Sequence, residues 1–346
     1  MIVCDSKCFG NVIELYFVHW DDSNITSSSD HGYRMSLAPT SRLLIWEQRK
    51  TLTIGNDYNI FPTLAMQRIK MPKIPVIIDT DIGSDIDDTW ALAMALGCPE
   101  IDVKLIVTCT GDTTYRAKIV CKFLEKVGRT DIPVGIGLDF GTENETQKAY
   151  VEDYDISQYP GTVHADGVAA MTDAILSSED EVALICIGPL PNIASMLNQS
   201  PAVVEKSRFI GMHGAVYRGY FGTDEIHAEF NVIQHLETAQ QVLSSDFDIT
   251  ITPLDTCGVI RLVEDQYQQV FAGAGNAMKE VRENYRVWLP ASKRDVALLD
   301  VSSSILFDTV AIYLAFAEDL LEIHELPIAV TAEGKTIVDE EKGKQM

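Results

Sequence analysis

Basic residues are scarce in this sequence relative to acidic ones. There are 27 Lys and Arg residues against 51 Asp and Glu residues, which gives a formal net charge of −24. Residues 1–70 are balanced, with seven of each sign, so the whole acidic excess lies in residues 71–346. Such a surface repels nucleic acids and anionic membranes. We therefore expect neither as a partner, whereas a small neutral ligand is compatible with this charge.

Long apolar runs and paired cysteine motifs are also missing. No stretch approaches the roughly 20 apolar residues of a transmembrane helix, and no basic start precedes an apolar run as in a secretory signal. The seven cysteines are odd in number, and the Cys4–Cys8 spacing has no second pair that would indicate zinc. This usage is typical of buried free thiols in a reducing compartment, so we predict a cytoplasmic location.

The first 70 residues differ in pattern from the remainder. They show no sustained periodicity and carry a polar stretch over residues 21–32, so we predict a poorly ordered extension. Acidic residues near the start argue against a transit peptide. From residue 74 onward, apolar strand patterns alternate with helical patterns. This alternation predicts one domain over residues 71–346, an α/β fold with a single doubly wound, mostly parallel sheet flanked by helices.

The segment 74–96 carries the most informative pattern. An apolar, partly β-branched run from Ile74 to Ile78 predicts a buried strand. Five aspartates follow within ten positions, in the sequence DTDIGSDIDD over residues 79–88, and a helical pattern comes next. Gly83 permits a sharp turn between them. The acidic segment therefore lies where a parallel strand ends and a helix begins, which is where open α/β sheets bind ligands.

Five carboxylates this close together repel one another, and without compensation some of them would be protonated. A hard divalent cation relieves the repulsion, because Ca²⁺ and Mg²⁺ prefer oxygen ligands. A helix N-cap with a solvated acidic loop is the simpler alternative, and it explains two aspartates but not five. The segment therefore predicts a metal site.

Five motifs, in this order along the chain, resemble those of the inosine–uridine-preferring nucleoside hydrolases. They are DTDIGSDIDD (79–88), IVTCTGD (106–112), CIGPLPNIA (186–194), AEFNV (228–232) and ILFDTVAIY (305–313). The resemblance covers about residues 73–340, and it makes residues 71–346 the expected catalytic domain. It implies hydrolysis of the N-glycosidic bond of ribonucleosides to free base and ribose, a role in purine salvage, and Ca²⁺ as the cofactor. A homodimer or homotetramer is also implied.

The resemblance assigns roles residue by residue. A water held at the calcium would be activated by an aspartate base, which is Asp87 in this sequence. The calcium ligands would be Asp81, Asp88, Asp308 and the main-chain carbonyl of Ile187. Substrate contacts would come from Asp112, Glu229 and Asn231, whereas Asp79 would either orient the loop or contact sugar hydroxyls. These residue types suit the reaction, because carboxylates can take a proton from water and stabilise the positive charge that develops on the sugar.

One position departs from the family pattern in a way that affects the reaction. Phe307 precedes Asp308, where many members have a histidine, and phenylalanine cannot protonate a leaving base. His227 is the first candidate for a replacement, since it lies two residues before Glu229, and His213 and His164 are further candidates on predicted loops. A loop histidine bonded to the backbone is the alternative for each of them.

Two other functions stay open at the level of sequence. The first is a calcium-dependent nucleoside- or sugar-binding protein without activity, which Phe307 would allow. The second is a phosphohydrolase of the haloacid-dehalogenase type, with Asp79 as nucleophile, Asp81 as acid/base and Mg²⁺ bound. That second class needs a later lysine and an acidic pair in order, and the sequence offers no clear match for them.

Overall fold

A computed structural model describes residues 72–272 and 275–346, so the predicted extension over residues 1–70 lies outside the described residues. The main sheet has seven strands: β1 (Ile74–Thr80), β2 (Ile101–Thr108), β3 (Val134–Ile136), β4 (Val163–His164), β5 (Val182–Cys186), β6 (Ser207–Gly211) and β7 (Asp248–Ile251). Their order across the sheet is β4-β3-β2-β1-β5-β6-β7. All of these neighbours pair in parallel.

The central strand β1 is buried on both faces, which explains its continuous apolar run. Val76 and Ile78 belong to one apolar cluster and Ile77 to another, as the alternation of side chains along a strand requires. Helices supply most of the residues that cover the two faces. Their bounds are α1 (Asp87–Gly97), α2 (Thr113–Val127), α3 (Lys148–Val151), α4 (Gly167–Ser177), α5 (Pro191–Gln199), α6 (Phe230–Ile233), α7 (Leu236–Leu243), α8 (Leu254–Cys257), α9 (Glu264–Ala272), α10 (Asn276–Ala291) and α11 (Thr309–Leu314).

The sheet reverses its winding direction between β1 and β5. Strands β2 to β4 extend to one side of β1, whereas β5 to β7 extend to the other. The carboxyl ends of β1 and β5 lie side by side, and Ile187 donates a backbone hydrogen bond of 2.9 Å to the carbonyl of Asp79. At Gly188 a Cβ atom would lie 2.8 Å from the backbone nitrogen of Asp81. The segment after β5 therefore packs directly against the aspartate loop, at the position where this class of sheet binds ligands.

These observations confirm the predicted fold class and add one feature that the sequence analysis missed. A second sheet, antiparallel and three-stranded, is formed by β8 (Pro327–Val330), β9 (Thr336–Val338) and β10 (Lys344–Gln345). A 3₁₀ turn over Val296–Asp300 and an irregular segment precede α11.

Two predictions from composition can be compared with the described residues. Their five cysteines are all buried free thiols. Among their helices, none combines the length and the apolar character that crossing a membrane would need.

Candidate active site

The aspartate loop, residues 79–88, depends on a left-handed glycine. Gly83 has φ of +112°, and a Cβ atom there would lie 2.8 Å from side-chain atoms of Tyr115 and Ile119. The hydroxyl of Tyr115 donates to the carbonyl of Gly83 at 3.0 Å, and the backbone of Gln147 donates to the same hydroxyl. These contacts attach the turn to α2 and to the segment before α3. A side chain at position 83 would displace both attachments.

A buried arginine on α2 holds the aspartate loop in place through hydrogen bonds. The guanidinium of Arg116, on α2, donates to the carbonyls of Asp81 and Ile82 and to the hydroxyl of Ser84. Its Nε donates to the carbonyl of Thr110 at 2.8 Å. Arg116 is only 2% exposed, so this cation lies almost entirely inside the protein. This cation opposes the negative charge of the loop, and it lowers the pKa values of the Asp81 and Asp88 carboxyls against the larger effect of burial.

The loop forms one wall of a cavity of about 290 Å³. The remaining walls come from the segments after β5 and β6, the segment before α3, a 3₁₀ turn at Tyr220, the start of α6 and the segment before α11. Its charged and amide side chains include Asp81, Asp85, Asp87, Asp88, Glu229, Asn231 and Asp308. This cavity, at the carboxyl ends of β1 and β5, is the candidate active site.

Three carboxylates in this cavity converge closely enough to hold one cation. Ligand atoms of Asp87, Asp88 and Asp308 lie within 4.8 Å of one another, and all three residues are buried. Burial, reinforced by the neighbouring carboxylates, raises the pKa of each of these carboxyls well above its ordinary value. An all-oxygen group of mutually repelling carboxylates fits a hard divalent cation, which would relieve this repulsion. Asp81 lines the same cavity, and its carboxylate accepts from the Ser84 hydroxyl at 3.1 Å.

The opposite wall brings the Ile187 carbonyl and the residues of the AEFNV motif together. The Asn231 side chain donates to the carbonyls of Ile187 and Met212, at 3.2 and 3.0 Å. The carboxylate of Glu229 accepts from three backbone N–H groups, those of Gly214, Asn231 and Val232. A carboxylate offers about four acceptor positions, so one position on Glu229 is left for a ligand hydroxyl.

Glu229 leads to a prediction about pH. Burial raises the pKa of its carboxyl from 4.5 to about 7, although the three N–H donors oppose the shift. The folded protein therefore binds a proton that the unfolded chain releases between these values. The resulting stabilisation is fully present below pH 4.5 and is lost as the pH rises through about 7. In chelator, we expect the unfolding free energy of Glu229→Gln to fall less steeply from pH 5 to 8 than that of the wild type.

Between pH 5 and 8, the unfolding free energy of the wild type should fall by on the order of 3 kcal/mol more than that of Glu229→Gln. Urea titrations at several pH values would measure it, and the slope is compared because the substitution also changes the overall stability. Equal slopes for the two proteins would show that folding does not raise the pKa of the Glu229 carboxyl.

Three residues that the sequence analysis assigned to the site do not line this cavity in the structure. Asp79 is fully buried, and its carboxylate accepts from Asn192 at 2.8 Å, a contact that orients the loop. Burial raises its pKa to about 7. Asp112 is the N-cap of α2 and accepts from the backbone of Tyr115 at 2.8 Å. His227 packs against the ring of Tyr220, with 5.6 Å between ring centroids.

The two other candidate histidines also lie away from the cavity lining. His213 is fully buried, and its Nε2 donates to the carbonyl of Gly188 at 3.1 Å. Burial lowers the pKa of this imidazole to about 4, so it is neutral at physiological pH. His164 belongs to β4, where it pairs with Gly135. The backbone-bonded alternative therefore describes His213.

Tyr220 is an aromatic residue in ring contact with Phe307, the departure from the family pattern. It lines the cavity, and its ring lies 6.1 Å from that of Phe307 and 5.6 Å from that of His227. Its hydroxyl accepts from the backbone N–H of Phe230 at 3.0 Å, which leaves the hydroxyl hydrogen free for another acceptor. Burial raises the pKa of this hydroxyl, so it stays protonated at neutral pH.

Sequence reasoning missed several residues that build the site. Ser84, Asn144, Thr146, Met212 and Phe230 line the cavity, and Thr146 donates to the carbonyl of Ser84 at 2.5 Å. Four of them lie on irregular segments whose paths follow from tertiary contacts, whereas Phe230 begins α6. For Arg116 a signal does exist in the sequence, because it stands three and four positions before the apolar Ile119 and Val120. Helical spacing places such an arginine on the buried face of its helix.

The fold and the site together define an α/β protein with an acidic, oxygen-rich ligand site at the switch point of its sheet. The family of inosine-uridine preferring nucleoside hydrolases matches this sequence over residues 76–346. This chain belongs to that family. Membership excludes the phosphohydrolase alternative, because the aspartate segment is part of the region that matches.

Individual relatives support the same assignment. The non-specific ribonucleoside hydrolase RihC of Klebsiella pneumoniae is 31% identical over 207 residues, which cover 56% of this chain and 65% of that protein. The pyrimidine-specific ribonucleoside hydrolase RihA of Escherichia coli is 29% identical over 223 residues, which cover 60% of this chain and 68% of that protein. The chain thus spans just under two thirds of the length of the first relative.

A solved structure shows the same fold at lower sequence identity. The inosine-uridine preferring nucleoside hydrolase from Bacillus anthracis superimposes with a TM-score of 0.60 at 16% identity. The superposition covers 79% of this chain and 92% of that one.

Proposed function

We propose that this protein hydrolyses the N-glycosidic bond of ribonucleosides to free base and ribose, with Ca²⁺ in its site. One observation carries the proposal: Asp87, Asp88 and Asp308 converge within 4.8 Å in a cavity that Glu229 and Asn231 also line. Membership in the nucleoside hydrolase family supports the reaction, and the relatives above are named as ribonucleoside hydrolases.

The proposed calcium ligands are Asp81, Asp88, Asp308 and the carbonyl of Ile187, all of which line the cavity. Bound there, calcium would supply a positive charge that orients the sugar hydroxyls and makes a water easier to deprotonate. Asn231 holds the Ile187 carbonyl through its amide nitrogen. This leaves the amide oxygen of Asn231 and the one open acceptor position of Glu229 for hydroxyls of the ribose.

Asp87 is the proposed base that takes the proton of the attacking water. It begins α1 beside the ligand Asp88, and its carboxylate is buried in the cavity wall. Burial and the neighbouring carboxylates raise its pKa, which brings its basicity closer to the working pH of such a reaction. As the water oxygen bonds to the anomeric carbon, the electron pair of the broken bond goes to the base nitrogen.

On the leaving-group side, the structure changes the role that we propose for His227. Phe307 has no proton to give, and His227 contacts the ring of Tyr220 rather than the cavity. We therefore assign the hydrogen bond to the leaving base to the hydroxyl of Tyr220, with His227 as a residue that positions this tyrosine. The cytoplasmic location stays a prediction from cysteine usage, and the role in purine salvage and the homodimer or homotetramer stay predictions that depend on the family resemblance.

The test is release of ribose by the purified protein from uridine, inosine and nicotinamide riboside, measured as reducing sugar. We expect release from at least one of them in Ca²⁺ and its loss in excess chelator. Calorimetric titration with Ca²⁺ should show binding that Asp88→Ala weakens strongly. Calcium binding without release from any riboside would favour the nucleoside-binding alternative instead.

A further inference from the structure

A smaller cavity of about 140 Å³ adjoins the candidate active site. The two cavities share Asp85, Tyr220 and Phe307, so the smaller one opens at the position of the residue that departs from the family pattern. The residues proposed to hold calcium and ribose do not line this side cavity. A ligand that extends into it from the active site therefore does so past Tyr220 and Phe307.

The walls of the side cavity combine aromatic rings with two arginines. Tyr285 and Trp288, both on α10, stack with 5.8 Å between ring centroids. The guanidinium of Arg294 lies over the Trp288 ring, 5.2 Å from its centroid, and Arg261 lines the same cavity. The indole nitrogen of Trp288 donates to the carbonyl of Ser84 at 3.3 Å, which ties this wall to the aspartate loop.

Neither guanidinium has an acidic partner within hydrogen-bonding distance. Among residues 72–272 and 275–346, the side chains of Arg261 and Arg294 make no hydrogen bond and no ion pair. Both arginines are exposed, so their guanidinium groups are accessible to a ligand. Asp85 lines the same cavity, and the charge of Arg294 acts on its carboxyl without a direct ion pair. Other arginines in the same region are paired, such as Arg282 with Asp300 and Arg286 with Glu283.

We propose that this side cavity receives the leaving base and binds a negatively charged group, such as a carboxylate, that the base carries. Aromatic walls suit a planar ring, and the planar fork of an arginine matches the geometry of a carboxylate. The space corresponds to roughly five water molecules, which suits a single ring rather than a whole nucleoside. The inference rests on the proposed function, and it adds the substrate class for which the site is selective.

The bond changes are those of the hydrolysis itself. The electron pair of the broken C–N bond passes to the ring nitrogen of the base, while the water proton passes to Asp87. Arg261 and Arg294 take no part in proton transfer, since guanidinium stays protonated in proteins. They bind the substituent, and their charge favours any negative charge that the ring gains as it leaves.

The test compares two substrates that differ only in this substituent. Nicotinate riboside carries a carboxylate where nicotinamide riboside carries an amide, and both rings leave as neutral pyridines that need no proton. We expect the wild type to show kcat/KM at least about tenfold higher for nicotinate riboside, a ratio that falls towards one at high salt. In Arg294→Gln and Arg261→Gln, the ratio should fall towards one at low salt as well.

Arg286→Gln is the matched control, because Arg286 lies on α10 outside the cavity and is paired with Glu283. It should keep the wild-type ratio. A wild-type ratio near one, or a high ratio that survives both arginine substitutions, would overturn the proposal. The proposal would also be overturned if the wild type preferred uridine 5′-monophosphate to uridine and Arg294→Gln removed this preference. Arg294 would then bind an anion on the sugar rather than on the base.

Failure of the proposed function would give a different result, namely no hydrolysis of any riboside. Calorimetry with free nicotinate and free nicotinamide then decides the subsite independently. Tighter binding of nicotinate that is lost in Arg294→Gln supports it, whereas equal or weaker binding of nicotinate overturns it.

Discussion

Replacing Asp87 with asparagine is expected to lower kcat for nucleoside hydrolysis about a thousandfold, with a much smaller effect on calcium affinity. Asparagine keeps the shape of the side chain but cannot accept the proton of the attacking water. The ligand assignment leaves Asp87 outside the metal shell, so the affinity for Ca²⁺ should stay close to that of the wild type. Steady-state kinetics and calorimetric titration with Ca²⁺ measure the two effects separately.

Asp88→Asn is the matched comparison, because it separates the role of a base from that of a metal ligand. Asp88 is next to Asp87 on α1 and is equally buried, but it is assigned as a ligand. Its substitution should lower calcium affinity and activity together, with activity partly restored at high Ca²⁺. Because Asp87 also belongs to the group within 4.8 Å, an equal loss of calcium affinity in both variants would show that Asp87 is a ligand and that the base is another group.

The second large effect concerns stability. Arg116→Met should lower the free energy of unfolding by about 3–5 kcal/mol, the usual cost of removing one member of a buried charged group. Three carbonyls and the Ser84 hydroxyl would lose their donor, and the aspartate loop would lose its nearest buried cation. Methionine fills much of the volume, so the loss would reflect charge and hydrogen bonds more than packing. Urea unfolding measures the difference.

Lys126→Met provides the control for this measurement. Lys126 is an exposed cation in the last turn of the same helix, so its substitution should change stability by no more than about 0.5 kcal/mol. If Arg116→Met were as stable as Lys126→Met, the loop would not depend on this arginine. A loss of calcium affinity in Arg116→Met, measured well below its unfolding midpoint, would further show that the arginine shapes the metal site.

The sequence predicted the parts of the fold that depend on local pattern. The run Ile74–Ile78, the five aspartates and the helical pattern after Asp88 are contiguous, so a strand, a loop and a helix could be assigned directly. The sheet order and the three-stranded sheet could not be read in this way. Pairings such as β1 with β5 join segments far apart in sequence, and they are chosen by packing of the whole chain.

The site shows the same limit at the level of side chains. Motif matching placed Glu229 and Asp308 in the cavity that also contains the aspartate loop. It assigned Asp112 and His227 to the site as well, but their side chains cap a helix and pack on Tyr220 instead. Spacing along a loop fixes which residues are near the site, whereas the rotation of the backbone at each residue decides which way a side chain points.

The proposed calcium ligands are divided between the first strand–helix unit and the segment before α11, which has a consequence for how the protein folds. Asp88 and Asp308 lie near opposite ends of the described chain, so their side chains meet only after the intervening strands have assembled. Calcium affinity should therefore appear late in refolding, since such long-range contacts form slowly. A fluorescent calcium indicator followed during refolding would report when the whole topology is complete. A bound ion would link these two distant segments and thereby slow unfolding.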